Sequence, residues 1–131
     1  MEVSDMSSSK TYSIAGVTQG MYMLWFVTTQ AANRITVKLF DDTKVYFEAS
    51  KKSVDINPPL ALGADYVAGN NLQMTVTSSG DNEIESWHNT SDISTAEGGQ
   101  AGRVFVFAGE DYIDHDYNDI YVSISAWNKA N

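Results

Sequence analysis

Arg34-Ile-Thr-Val-Lys-Leu-Phe40 alternates apolar and polar residues at every step. In an extended backbone Ile35, Val37 and Leu39 fall on one face and Arg34, Thr36 and Lys38 on the other, the pattern of a half-buried strand. Thr43 to Glu48 repeats it with Val45 and Phe47. Asp41 and Asp42 between the two runs supply turn chemistry, so together they read as a hairpin. Working outward, further runs of β type occupy Tyr12 to Val17, Met21 to Thr28, Leu72 to Ser78, Glu83 to His88, Arg103 to Ala108 and Ile120 to Trp127. Gly16 and Gly20, Asn57-Pro58-Pro59, Gly69-Asn70-Asn71, Ser79-Gly80-Asp81 and Gly98-Gly99-Gln100 punctuate them. Short strands at such spacing point to an antiparallel β-sandwich.

One run departs from simple alternation. Tyr22-Met-Leu-Trp-Phe-Val27 is apolar throughout, too apolar for a strand with one wet face. Such a strand is either central in the sandwich or presents its outer face to another subunit; the core placement is the more common. Trp87 and Trp127 are likewise expected in the sandwich core or at a subunit contact.

Composition narrows the function. The chain has 131 residues, enough for one domain with a real core, which we place at residues 11–131 behind a frayed, Ser-rich segment 1–10. Cysteine is absent, which excludes thiol catalysis and Cys-ligated metals. Seventeen acidic residues against eight basic give a net charge of −9. That disfavours nucleic acid and anionic membranes and favours cations. No apolar run is long enough to insert into a membrane. Residues 1–10 lack the charged start and apolar stretch of a secretory signal, so the expectation is cytoplasmic synthesis, with any extracellular action following lysis or a non-classical route.

The charge is concentrated in Gly109-Glu-Asp-Tyr-Ile-Asp-His-Asp-Tyr-Asn-Asp119, which joins two apolar strands and contains no Lys or Arg. Most charge runs are solvated faces. Here the alternation of Asp114, Asp116 and Asn118 turns their side chains to one side of an extended backbone, and Glu110 and Asp119 bracket them. Carboxylates about 5 Å apart repel by roughly 3 kcal/mol per pair at an effective dielectric near 20, so a folded loop of this kind requires a cation. Carboxylates plus a side-chain amide are the hard donor set of Ca²⁺. His115 alternates away from the acidic face, and His88 is distant in sequence. An EF-hand is excluded, since counting from Asp114 the sixth residue is Asp119 and the twelfth Ser125, where Gly and Glu are needed. Glu110, Asp114, Asp116 and Asp119 carry four negative charges, which two Ca²⁺ would balance.

Glu110-Asp111, then Asp114-His-Asp-Tyr-Asn-Asp119, then an apolar strand ending in Trp127 resembles the motif of the calcium-dependent fucose/mannose-binding lectins of soluble bacterial type (LecB-like). The likeness is specific in the acidic segment, weaker from about Phe26 to Phe47, and general elsewhere. It implies an all-β, jelly-roll-like sandwich of about nine strands, binding two Ca²⁺ that coordinate the hydroxyls of a monosaccharide. Carried over residue by residue, Glu110, Asp114, Asp116 and Asp119 would hold one ion, and Asp116, Asn118 and Asp119 the other. Thr28 would contribute its backbone carbonyl. Thr29, Gln30 and Ala31 would form the short loop that sets sugar preference, where the family has Ser-Ser-Gly, and Asp111, Asp114 and Asp116 would line the ligand. Family chains assemble as homo-oligomers and end in a Gly whose carboxylate completes a neighbour's site, whereas this chain continues to Asn131.

Two other classes compete. A metal site could activate water, but no second catalytic constellation accompanies this one, and carboxylates saturated by Ca²⁺ are poor proton donors. The expectation is therefore no enzyme. The stronger rival is a structural or adhesive module that uses Ca²⁺ only to lock its loops, since fold and metal do not fix function.

Overall fold

The computed structural model describes residues 8–80, 83–111 and 119–128. Among them the regular structure is all strand: β1 (Ser8–Ser13), β2 (Tyr22–Thr29), β3 (Ala31–Phe40), β4 (Val45–Ser53), β5 (Ala61–Tyr66), β6 (Gln73–Ser78), β7 (Glu85–Ser94), β8 (Gln100–Glu110) and β9 (Ile120–Trp127). They form a four-stranded sheet in the order β1-β6-β3-β4 and a five-stranded sheet in the order β5-β2-β9-β8-β7, with every neighbouring pair antiparallel. The molecule is the all-β antiparallel sandwich that the alternation predicts.

The two sheets bury their inward residues against each other. Ile35, Val37 and Leu39 of β3 meet Met23, Trp25 and Val27 of β2 and Ile120, Val122 and Ile124 of β9 in one core. Fully burying each such side chain contributes about 1.5–3 kcal/mol. The expected hairpin is present, with β3 and β4 paired from Ile35↔Lys51 to Leu39↔Phe47. Ser8, Ser9 and Lys10, assigned from sequence to the terminal segment, pair with Ser78, Thr77 and Val76 of β6. The run expected from Tyr12 to Val17 ends as a strand at Ser13.

Strand β5 has no counterpart in the sequence reading. Its large residues point outward, with Leu62 69% exposed, while its inward positions are Ala61, Gly63 and Asp65. Gly63 is required there because a Cβ would lie 2.7 Å from the indole of Trp25. The strand meets the core through the small Ala61 side chain and the bare backbone of Gly63, while its large residues face outward, which inverts the usual pattern.

The hairpin turn is held by Asp41. Its carboxylate accepts hydrogen bonds from the backbone N–H of Thr43 (2.8 Å), Lys44 (2.9 Å) and Gly69 (3.0 Å), and from the Tyr46 hydroxyl. Burial opposes the charge, but these donors hold the Asp41 carboxyl below its ordinary value. Burial and the bond to Asp41 together push the Tyr46 hydroxyl up to about 12. A depressed carboxyl stabilises the fold above its unfolded value of 3.8 and loses that contribution as pH falls through the folded value. Asp41→Asn is therefore expected to lower stability by about 2 kcal/mol at neutral pH. In urea unfolding, the gap to wild type should close as the pH drops below 3.8.

Candidate functional site

Strands β8 and β9 run side by side and bring the two ends of the acidic segment together. Beyond the last ladder pair, Gly109↔Ile120, the Asp119 N–H donates to Gly109 O at 3.1 Å, and the Asp111 N–H donates to the Asp119 carboxylate at 3.2 Å. Carboxylate oxygens of Glu110, Asp111 and Asp119 consequently lie within 4.8 Å of one another. Glu110 is 0% exposed and Asp111 3%. Asp114, Asp116 and Asn118, the remaining acidic and amide residues named from sequence, lie outside the described residues.

The electrostatics follow from this crowding. Burial, then hydrogen bonding with Glu110 and Asp111, pushes the Asp119 carboxyl up to about 8. Half-buried beside two buried carboxyl groups, the Asp119 carboxyl favours its protonated form when no counter-ion is present. A divalent cation would displace that proton. The donor set fits a hard cation: only oxygen is offered, from Glu110, Asp111, Asp119 and the adjoining backbone.

The opposite sheet secures the corner. Asn33 Nδ2 and Ser78 Oγ both donate to Asp111 Oδ2, at 3.0 and 2.9 Å. Asn33 sits where β3 breaks register with β4, between Ala31 and Ile35, and Ser78 is the fully buried last residue of β6. Asp111 thus bridges the two sheets as well as belonging to the acidic cluster. Neither Asn33 nor Ser78 was singled out from sequence. Each is a polar residue at a strand end, remote in the chain from residue 111, and no local pattern marks it.

The short connection from β2 to β3 closes the other side. Thr29 is the last residue of β2 and fully buried, Ala31 is the first of β3 and buried, and Gln30 between them is partly exposed. The Gln30 N–H donates to Asp119 O at 2.9 Å, and Gln30 Nε2 donates to the Tyr121 hydroxyl at 3.2 Å. Thr29 Oγ1 is buried without a hydrogen-bond partner among the described residues. An unsatisfied buried hydroxyl is costly. Thr28 Oγ1 donates to the Ile56 carbonyl. The sandwich therefore brings Thr29 and Gln30 to the strand end where Asp119 lies, although they stand about ninety positions apart in the chain.

Other sequence-named residues fall elsewhere. His88 is exposed on β7, its ring set edge-on to Tyr12 at 5.2 Å. Trp87 and Trp127 are 60% and 41% exposed on the outer face of the five-stranded sheet, so neither belongs to the core. Both lie on an outward parity of β7 and β9, which the sequence alone could not assign.

No family model and no curated protein matches the sequence. Solved structures do. A lectin of Chromobacterium violaceum in complex with alpha-methyl-fucoside superposes with a TM-score of 0.64 at 20% identity, covering 92% of this chain and 96% of that one. The high-affinity mannose-binding lectin of Ralstonia solanacearum gives 0.63 at 16% identity, covering 92% and 96%. The C-terminal domain of a lectin from Burkholderia cenocepacia gives 0.61 at 19%, covering 95% and 100%. The chain has the fold of these bacterial lectins, the one expected from its acidic motif.

Proposed function

We propose that the chain is a carbohydrate-binding lectin that holds two Ca²⁺ at the corner formed by Glu110, Asp111 and Asp119 and takes fucose- or mannose-type sugars there. The observation that carries this reading is the triad of carboxyl groups, buried at Glu110 and Asp111 and half-buried at Asp119, beside the Thr29–Gln30 peptide, in a fold shared with lectins that include a fucoside complex and a mannose-binding protein. Bound calcium would supply open coordination positions that sugar hydroxyls take in place of water. The protein's own part is to fix the donors. Gly109 and the Asp111 N–H hold Asp119, Asn33 and Ser78 hold Asp111, and Tyr121 orients Gln30. From the acidic motif, Asp114, Asp116 and Asn118 complete the calcium shell, and Asp114 and Asp116 reach the sugar. Thr28 offers its carbonyl, and Thr29 to Ala31 set sugar preference.

No catalytic step is assigned. Carboxylates committed to a cation neither donate nor accept a proton at useful rates, and recognition requires neither.

A second reading draws on Asp111, whose bonds to Asn33 and Ser78 tie the sheets together. In that reading a cation at the corner locks the sandwich and nothing more. Calcium titration by calorimetry, followed by a glycan array with and without EDTA, separates the two. The lectin reading predicts calcium uptake and glycan binding that EDTA and free monosaccharide both abolish. Calcium uptake and thermal stabilisation with an empty array would establish the lock, and no calcium uptake would overturn both.

The protein also pairs with itself in this proposal. On the outer face of the five-stranded sheet, Leu62, Leu24, Phe26, Tyr22, Tyr66 and Trp127 stand exposed. From Tyr22 to Phe26, the outward residues of β2 and those paired with them on β5, β9 and β8 carry no charge. Five strands about 4.8 Å apart over these five residues give an uncharged centre of roughly 400 Å², most of the roughly 600 Å² that the smaller stable dimers bury per partner. In a chain of charge −9, an uncharged apolar face is where a second copy can approach without like-charge repulsion. Two sites on one particle would then act together on a multivalent surface.

A further inference from the structure

Lys51, on β4, is not part of the acidic motif, yet its ammonium group reaches the site from behind. Nζ donates to three backbone carbonyls: Thr29 O at 2.7 Å, Asp55 O at 2.6 Å and Ile56 O at 3.1 Å. An ammonium has three protons, and each is matched to a carbonyl. No carboxylate lies within ion-pair distance of it among the described residues. Its charge is therefore held by peptide dipoles, as a small cation's would be. The Ile56 carbonyl also accepts from the Thr28 hydroxyl, so the segment after β4 is fastened to the end of β2 at two points.

The peptide joining Thr29 to Gln30 is the consequential one. Its carbonyl accepts from Lys51, and its N–H donates to the backbone oxygen of Asp119 at 2.9 Å. A positive charge on the carbonyl polarises the peptide and strengthens its N–H as a donor. A single peptide unit thus links the Lys51 ammonium to the residue that anchors one side of the acidic corner. Gln30, alone of the Thr29–Ala31 triplet in being less than fully covered, takes its position from that peptide.

We infer that Lys51 is a positioning residue of the sugar site: it clamps the Thr29–Gln30 peptide against Asp119 and makes the β4–β5 connection, residues 54–60, a wall of that site, so that sugar preference depends on a residue outside both the acidic segment and the Thr29–Ala31 loop. This rests on the lectin reading above.

The test compares wild type with Lys51→Met, which keeps the aliphatic stem and removes the donors, and with Lys51→Arg, which restores a charged donor. Calcium-loaded protein is titrated with methyl fucoside and methyl mannoside, and amide hydrogen exchange is followed at Gln30. Lys51→Met is expected to bind calcium with unchanged stoichiometry, to lose about tenfold in affinity for the preferred sugar, and to change the ratio between the two. Gln30 exchange should quicken at least tenfold, while the Leu60 amide, bonded to Val27 O at 2.8 Å, keeps its rate. Lys51→Arg should recover most of the affinity. If Lys51→Met does not fold, Lys51→Gln, which retains a neutral donor, reads the same quantities. A wild-type protein that binds calcium but neither sugar removes the lectin reading and this role with it. A wild-type protein that binds sugar, beside a Lys51 variant with the same sugar ratio and the same Gln30 exchange, leaves the lectin reading standing and overturns the clamp.

Discussion

Asp119→Asn is expected to abolish calcium uptake and sugar binding while making the metal-free protein more stable than wild type at pH 8 and above. The two effects have one cause. Burial, with Glu110 and Asp111 as neighbours, pushes the Asp119 carboxyl up to about 8. A carboxyl whose folded value is raised contributes stability that is fully present below its unfolded value of 3.8 and is lost as pH rises through the folded value. Metal-free wild type should therefore melt at falling temperatures between pH 4 and pH 8. Asn has the shape of the protonated acid and cannot ionise, so the variant should show a flatter profile over that window. Calcium reverses the order. At a hundredfold excess over its dissociation constant, a cation that binds only the folded state stabilises it by about 2.7 kcal/mol, a melting shift on the order of 10 °C for a domain of this size. The shift should grow as pH rises from 5 to 8, since calcium competes with the Asp119 proton, and it should be absent in Asp119→Asn. Differential scanning fluorimetry at three pH values, with calcium and with EDTA, reads all of this. Equal calcium shifts in wild type and variant would remove Asp119 from the site.

What the sequence discloses depends on how local the cause is. Ile35, Val37 and Leu39 are legible because alternation within a strand is a property of neighbours two apart, and all three are fully buried. Strand β5 is illegible because its inward residues are small or charged, and the reason for that, the Trp25 indole against Gly63, sits on another strand. The site divides the same way. Glu110 and Asp119 stand out because like charges crowded along one short segment repel unless a cation offsets them, and that crowding is visible in the chain itself. Asn33, Ser78 and Lys51 become visible only when the sheets are stacked. Each is one polar residue in an ordinary strand, and its partner lies 78, 33 or 22 positions away. For the tryptophans only one half of the expectation is excluded: size and hydrophobicity suggest the core or a subunit contact for Trp87 and Trp127, and outward parity on β7 and β9 takes both out of the core.

That sheet face yields the other large expected effect. Phe26→Asp places a carboxylate on β2 between Leu62 and Ser123, within the uncharged surface. In the monomer the cost is small, because Phe26 is already 42% exposed and its inward neighbours Trp25 and Val27 keep their packing. In a dimer built on this face two such charges would be buried near one another without partners. That costs several kcal/mol, enough to weaken association by at least a thousandfold. Sedimentation should show wild type as a dimer or larger and Phe26→Asp as a monomer. Since Phe26 points to the outer face and its partner Ser123 lies four residues along β9 from Asp119, the calcium-loaded variant should bind a free monosaccharide as wild type does, while losing a factor of about 10² or more on a glycan-coated surface, where wild type engages several sites at once. A variant that stays oligomeric would place the subunit contact elsewhere. One that turns monomeric yet holds the coated surface as tightly as wild type would show that a single site accounts for the binding and that self-association serves stability alone.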